Sequence, residues 1–322
     1  MKAIVYTKFG SPDVLQLKEV EQPIPKDNEI LIKVYATSVN AYDWRHLRAD
    51  PFLIRLMGAG LFKPKHQILG ADIAGKVEAV GKNVKQFKPG NVVFGEGKYG
   101  GFAEYACVDE NRFVLTPANV SFEEAAAAPM AALTALQGLR DKGQIQTGHK
   151  VLINGASGGV GSFAVQIAKF FGAEVTGICS TKKIDLVRSI GADHVIDYTK
   201  EDVTQNRQQY DLIFDTAVFR SVLKYKRILS PKGIYVLAGG SMARIFQMMF
   251  VSMTGTKNMG LMIANINQKD LLFIKELLEA GKVKSIIDKC YPLHETADAI
   301  RYLEEGHARG KVVISVDYNK KN

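Results

Sequence analysis

The spacing of apolar positions changes character twice along the chain. Over residues 1–120, short apolar runs at 3–6, 29–36, 73–80, 92–94 and 102–108 are separated by Gly, Pro and Asn. Evenly punctuated runs of this length predict the strands of a β-rich barrel or sandwich. Ser121-Phe122-Glu123-Glu124 then combines a capping serine with an acid three residues on. An alanine-rich stretch follows, so a helix and a new domain are expected to begin there. From Lys150 the period alternates. Strands are predicted over 151–153, 174–178, 194–197, 211–214 and 234–237, with helical spacing between most of them, including 182–190 and 218–229. This alternation predicts a parallel sheet with helices on both faces. Its strand ends, Phe214-Asp215-Thr216 and Leu237-Ala238-Gly239 among them, would open onto one crevice. Past Gly240 the rhythm breaks. Residues 242–266 are rich in methionine and follow neither period, which suits a buried core, a dimer contact or the lining of an apolar pocket. Two amphipathic helices, over 269–279 and 295–304, and a strand over 312–316 close the pattern. The expected organisation is a β-rich domain over 1–124, an α/β domain over 125–267, and a return to the first domain over 268–322.

The most informative stretch is Lys150-Val151-Leu152-Ile153-Asn154-Gly155-Ala156-Ser157-Gly158-Gly159-Val160-Gly161. A strand enters a glycine-rich turn, and an amphipathic helix leaves it. Backbone N–H groups and the positive end of the helix dipole meet at that turn, which suits a pyrophosphate. Ala156, Ser157, Gly158, Gly159, Val160 and Gly161 are therefore candidate dinucleotide-binding residues. Ala156 departs from the usual glycine at the first position of the motif, which suggests a looser backbone approach. After the second strand, an NAD site carries an acid for the ribose hydroxyl. Here the chain has Cys179-Ser180-Thr181-Lys182-Lys183. Hydroxyls and ammonium groups suit a 2′-phosphate, so Ser180 and Lys183 point to NADPH. The rival reading has the lysines capping the next helix toward solvent. Tyr198, after the third strand, either flanks the same phosphate or the adenine, or is a surface aromatic.

At 322 residues, 47% of them hydrophobic and 23% charged, the chain has material for about two packed domains. The first residues read as a strand rather than a signal peptide. The most apolar run, 245–262, is interrupted by Thr254, Gly255, Lys257 and Asn258 and is too short to span a bilayer. Cys107, Cys179 and Cys290 are scattered, so a reducing, cytoplasmic setting fits. The net charge of +9 is spread along the chain with a short basic tail at Lys320 and Lys321. No nucleic acid is expected, and a peripheral contact with an anionic membrane stays open. His46, His66, His149, His194, His294 and His307 have no metal-ligand spacing, and no metal is expected.

Several segments together resemble the medium-chain dehydrogenase/reductase superfamily. They are Ser38-Val39-Asn40-Ala41-Tyr42-Asp43-Trp44-Arg45, residues 69–81 beginning Leu69-Gly70-Ala71-Asp72, Phe87-Lys88-Pro89-Gly90, and the glycine turn. Within it the chain is similar to zinc-independent quinone oxidoreductases. Its ending from Tyr302 to Val313 is similar to the branch of the chloroplast-envelope quinone oxidoreductase homologue and reticulon-4-interacting protein. The resemblance implies a GroES-like domain beside a Rossmann domain, an active site in the cleft, and a homodimer. Asn40 stands where zinc alcohol dehydrogenases carry a ligand Cys, and Ala71 stands where they carry a ligand His. Without zinc, alcohol oxidation is disfavoured.

The family pattern further implies a nicotinamide near Met130 and Thr134, with Asp215, Ala238 and Gly239 at the neighbouring strand ends and Lys311 among the cofactor residues. The expected reaction is hydride transfer from NADPH to a small apolar quinone or α,β-unsaturated carbonyl. Asn40 and Tyr42 are the expected donors to the developing oxyanion, Tyr42 alternatively serving as a packing aromatic, and Asp43 is expected to be structural. An NADPH-binding regulatory or scaffold protein with little turnover is the alternative, and an alcohol dehydrogenase the third. Phe52, Leu53, Ile54, Leu56, Met57, Leu61 and Phe62 form an apolar insertion that either lids the cleft or packs.

Overall fold

The computed structural model describes residues 1–206, 208–217, 220–239, 247–248 and 258–316, without the side chains of Met57 and Asn258. Most of the 242–266 segment, the expected helix start at Val218, and the tail lysines lie outside the described residues. The chain divides into two compact units, Met1–Met130 with Ile266–Asn322, and Ala131–Asn265.

The first unit is built on a seven-stranded sheet. Its hub is β3 (Glu29–Val39), which pairs antiparallel with β4 (Asp72–Val80), β6 (Tyr105–Asp109) and β15 (Lys311–Ser315). β4 continues to β5 (Val92–Glu96) and β7 (Phe113–Leu115), and β15 pairs parallel with β14 (Ile287–Pro292). A separate hairpin joins β1 (Lys2–Val5) and β2 (Gln16–Glu19). Ile30, Ile32 and Val34 of the hub are fully buried and anchor a core that includes Leu69, Phe102, Phe113 and Ile314. Two registers matter most. Ser38 lies opposite Asp72, and Val39 lies opposite Val312. They bring Asn40, just past the hub, beside Lys311.

Residues 41–48 form a helix, α1 (Ala41–Arg48). Asp43 accepts the Asn40 N–H at 2.8 Å and so closes the first turn. The capping pattern at Ser121 is realised in α2 (Phe122–Ala127), where Ser121 N–H donates to Glu124 at 2.9 Å and Glu124 N–H donates to Ser121 at 3.2 Å. α3 (Pro129–Gln137) follows.

The second unit holds six parallel strands, β8 (Lys150–Asn154), β9 (Glu174–Cys179), β10 (His194–Asp197), β11 (Tyr210–Asp215), β12 (Leu229–Ala238) and β13 (Asn258–Met262). Their order is β10-β9-β8-β11-β12-β13, with the direction of winding reversing between β8 and β11. This is the doubly wound dinucleotide-binding topology, in which ligands bind beyond the carboxyl ends at the switch. α4 (Gly159–Phe170) leaves the glycine turn and buries Phe163, Ala164, Ile167 and Ala168. It stops where Gly172 takes a left-handed φ of 78°.

The helix expected over 218–229 is much shorter, α6 (Val222–Lys226), counting α5 (Ile184–Ser189) before it. Leu229 already pairs with Tyr210, so sheet pairing takes the residues that helical spacing claimed. β13, within the methionine-rich stretch, was unreadable by period because it is an edge strand with Met259 and Leu261 packed on the core. α7 (Gln268–Glu279) and α8 (Thr296–Glu304) follow and belong to the first unit.

Candidate cofactor and active sites

In the second unit the parallel register aligns the strand ends. Asn154 pairs with Ile178 and Asp215, Asp197 with Cys179, and Asp215 with Leu237. Residues following those ends therefore share one edge: the turn 155–161, Ser180, Tyr198, and Ala238 with Gly239.

The glycines of the turn divide the work. Gly155 takes the left-handed conformation, φ 80°. A Cβ on Gly161 would lie 2.0 Å from the Gly155 carbonyl oxygen, so the helix can start against the turn only with glycine there. A Cβ on Gly158 would meet nothing closer than that same oxygen at 3.4 Å. Packing does not demand glycine at 158. Gly158 N–H already donates to the Gly155 carbonyl at 3.0 Å, so what its missing side chain leaves is room for close approach, and the first-turn N–H groups of α4 have no intrahelical acceptors. These residues fit a pyrophosphate. Ala156 is fully buried, and its Cβ would be 3.0 Å from one built on Gly177. Gly155 supplies the left-handed turn, and Ala156 packs beneath it. Ser157 is buried beside it.

Ser180 is half-buried and precedes the short turn Thr181–Lys183, its carbonyl accepting from Lys183 N–H at 2.9 Å, with Lys182 exposed and Lys183 half-buried. Tyr198 is exposed. Sequence reasoning missed the acid at this edge, Asp197. Its carboxylate accepts from Thr181 Oγ1 at 2.5 Å and from Thr199 N and Oγ1 at 3.0 and 2.7 Å. The Thr181 bond and those from Thr199 hold its carboxyl below the usual range. The Thr181 hydroxyl is committed to that acid, and Ser180 and Lys183 stand at the same edge.

Asp215 is fully buried rather than open to a crevice. It accepts from Asn154 Nδ2 at 2.7 Å, Tyr235 Oη at 2.7 Å and Ala217 N at 3.2 Å. This network ties the ends of three neighbouring strands, and neither Asn154 nor Tyr235 carried a sequence signal. On α3, Met130 and Thr134 are half-exposed, and the positions between them are buried. Their four-residue separation puts them on one helix face.

In the first unit the expected residues Asn40 and Lys311 gather with Ser38, Asp43 and Asp72, while Tyr42 packs against His46 and Tyr99. Asn40 Nδ2 donates to Asp72 Oδ2 at 2.9 Å and, weakly, to Ser38 O at 3.4 Å. Lys311 Nζ donates to Asn40 Oδ1 at 2.5 Å and lies 3.5 Å from Asp72 Oδ2. Ser38 Oγ and the Met130 N–H complete the bonds to Asp72, at 2.8 and 2.9 Å. Lys311 and Asp72 are an almost fully buried ion pair, and burial lowers the affinity of Lys311 for its proton despite Asp72 and Asp43. Asp43 accepts the N–H groups of Asn40 and Gly70 at 2.8 and 3.0 Å. Burial pushes its carboxyl up to about 7, against those two N–H groups and with the help of Asp72.

Tyr42 is half-buried on α1, its ring 3.9 Å from that of His46 and 5.9 Å from that of Tyr99. Burial and a hydrogen bond to Tyr99 raise its pKa, so the hydroxyl keeps its proton. His46 Nδ1 lies 2.8 Å from the Tyr42 carbonyl, and burial lowers the imidazole's pKa, so the neutral ring donates to that carbonyl. Among the described residues, no three His, Cys, Asp or Glu side chains converge as a metal site.

Residues 26–118 match the alcohol dehydrogenase GroES-like domain, and residues 190–314 match the zinc-binding dehydrogenase domain. The chain is 37% identical to the 2-methylene-furan-3-one reductase of Solanum lycopersicum, over 98% of this chain and 79% of that one. It is 34% identical to the chloroplast envelope quinone oxidoreductase homolog of Arabidopsis thaliana, over 98% of both. The solved quinone oxidoreductase of Coxiella burnetii superposes with a TM-score of 0.88 at 28% identity, covering 98% and 99% of the two chains. Architecture and relatives together establish that the chain belongs to the medium-chain dehydrogenase/reductase superfamily, among the homologues of quinone oxidoreductases.

Proposed function

We propose that this protein is an NADPH-dependent reductase of quinones or α,β-unsaturated carbonyls that works without zinc. The observation that carries the reading is the turn 155–161, where Gly158 leaves room for close approach at a helix start on the carboxyl edge of a doubly wound sheet. A nicotinamide cofactor bound there supplies the hydride. Gly158, Gly159, Val160 and Gly161 hold the pyrophosphate, with Ala156 and Ser157 shaping the turn. Ser180, Lys183 and Tyr198 take the 2′-phosphate, and Met130, Thr134, Ala238 and Gly239 border the nicotinamide.

Tyr42 turns its O–H from Tyr99 to the acceptor oxygen and donates a hydrogen bond there as negative charge develops. A retained proton on a half-buried phenol suits that role. Asn40 is a positioning residue, because its amide is spent on Asp72, Ser38 and Lys311. Asp215 likewise positions the strand ends. The Lys311 ammonium already supplies a cation beside Asp72, which disfavours a divalent ion at the same place. The relatives' names supply the acceptor class: one reduces 2-methylene-furan-3-ones, and others are quinone oxidoreductases. A homodimer in the cytoplasm completes the reading.

Loss of nicotinamide absorbance with a panel of quinones and enones tests it. NADPH is expected to support turnover well above NADH, and a chelator is expected to change nothing. Tyr42→Phe is expected to lower kcat about a hundredfold or more, the usual effect of losing one oxyanion donor. Equal use of NADH, or full activity in Tyr42→Phe, rejects the corresponding assignment.

A further inference from the structure

The apolar insertion between residues 50 and 66 does not pack away. Phe62 is 90% exposed, Leu56 65%, Phe52 60%, Leu53 46% and Leu61 45%. Five large apolar side chains within eleven residues are far more than scattered surface hydrophobics require. The loop that carries them is braced from within. The Arg55 guanidinium lies 4.7 Å from the Phe9 ring and 5.3 Å from the Phe52 ring, and it donates to the Leu61 carbonyl at 3.4 Å. Lys65 N–H donates to the Ala59 carbonyl at 2.8 Å. Gly60 takes φ 108°, and a Cβ there would lie 2.1 Å from the Lys63 carbonyl oxygen. The turn is therefore tight and presents Leu61, Phe62 and Lys63 at its tip, with Pro64 buried beneath.

The charge along this loop is mostly positive. From residue 45 to 66 stand Arg45, Arg48, Arg55, Lys63 and Lys65 against the single carboxylate of Asp50. Arg48 is paired with Glu304, and Lys63 and Lys65 are exposed next to the apolar tip. We propose that this loop docks the protein on an anionic phospholipid surface, with Phe62, Leu61, Leu56, Leu53 and Phe52 entering the headgroup boundary and Lys63 and Lys65 meeting lipid phosphates. Apolar tips rimmed by lysines are what such an interface binds. A second copy of the chain is the poorer occupant. A two-fold contact through this loop would set Lys63 and Lys65 against themselves.

Sedimentation of the full chain with phosphatidylcholine vesicles, with and without phosphatidylserine, tests the proposal. It needs neither cofactor nor acceptor, so its outcome is independent of the proposed reaction. Binding is expected with phosphatidylserine and is expected to weaken as salt rises. Lys63→Gln with Lys65→Gln is expected to lower partitioning roughly 25-fold, about fivefold per lysine. Leu56→Ser with Phe62→Ser is expected to lower it roughly tenfold or more. Three results overturn the proposal: no binding to anionic vesicles, binding unchanged in both double variants, or a wild-type dimer that Leu56→Ser with Phe62→Ser converts to monomer.

Discussion

The side chains that matter most are spent on one another. Lys311 and Asp72 are taken out of water together, and the pair is tolerable only because Ser38, Asn40 and the Met130 N–H saturate the carboxylate. Lys311→Met leaves that carboxylate uncompensated and is expected to cost about 3–5 kcal/mol in urea unfolding. A loss below about 1 kcal/mol would mean that the pair is not buried as described. Asp43 makes a prediction in pH. With its native pKa raised from 3.8 to about 7, the folded state keeps a proton that the unfolded chain has released. Stability therefore falls as pH rises through that window, by at most about 1.4 kcal/mol per pH unit, and levels off above it. In Asp43→Asn this part of the slope is expected to vanish. An unchanged slope between pH of about 5 and about 8 would assign the titration to another group.

Two elements position what the residues do. β3 is the organiser of the first unit, because its registers with β4 and β15 put Ser38 opposite Asp72 and deliver Asn40 to Lys311. In the second unit the start of α4 separates folding from binding. Gly161→Ala forces a methyl group against the Gly155 carbonyl and is expected to cost about 1–3 kcal/mol as well as cofactor affinity. Gly158→Ala meets only an ordinary contact at 3.4 Å, at a φ of −84° that alanine accepts. It is expected to leave thermal stability within about 0.5 kcal/mol of wild type while weakening NADPH binding, measured by titration calorimetry. If both variants bind NADPH like wild type, the cofactor does not lie on this turn.

For the whole molecule, the cofactor reading predicts linkage. NADPH at about a hundred times its Kd is expected to stabilise the fold by about 2.7 kcal/mol, and NADH at the same concentration by clearly less. In Ser180→Ala with Lys183→Ala the two cofactors are expected to give the same thermal shift, since the charge-assisted contacts to a 2′-phosphate are gone. A surviving NADPH preference would move the phosphate site elsewhere. Among the described residues no helix is long and apolar enough to cross a membrane.

Local pattern determined much of this protein. The glycine turn, the capping serine at 121, the strands feeding the parallel sheet and the absence of ligand spacing are short-range facts, because each depends on neighbours within a turn or a strand. The expectation of NADPH over NADH rests on five consecutive residues, 179–183. Tertiary structure decided what those residues face. Strand pairing claimed Leu229 for the sheet and made an edge strand of a methionine-rich stretch. Register brought Lys311 to Asn40 across 271 positions and turned an expected donor into a held amide. Asp215, read as a crevice residue, is a buried tie between strand ends because Tyr235 and Asn154 arrive from its two neighbouring strands. The apolar insertion was visible as composition, but only the fold showed it outward, because Arg55 and the Gly60 turn brace it from within. Periodicity records which face of an element is apolar. Which groups meet across elements depends on register and packing, and those are long-range.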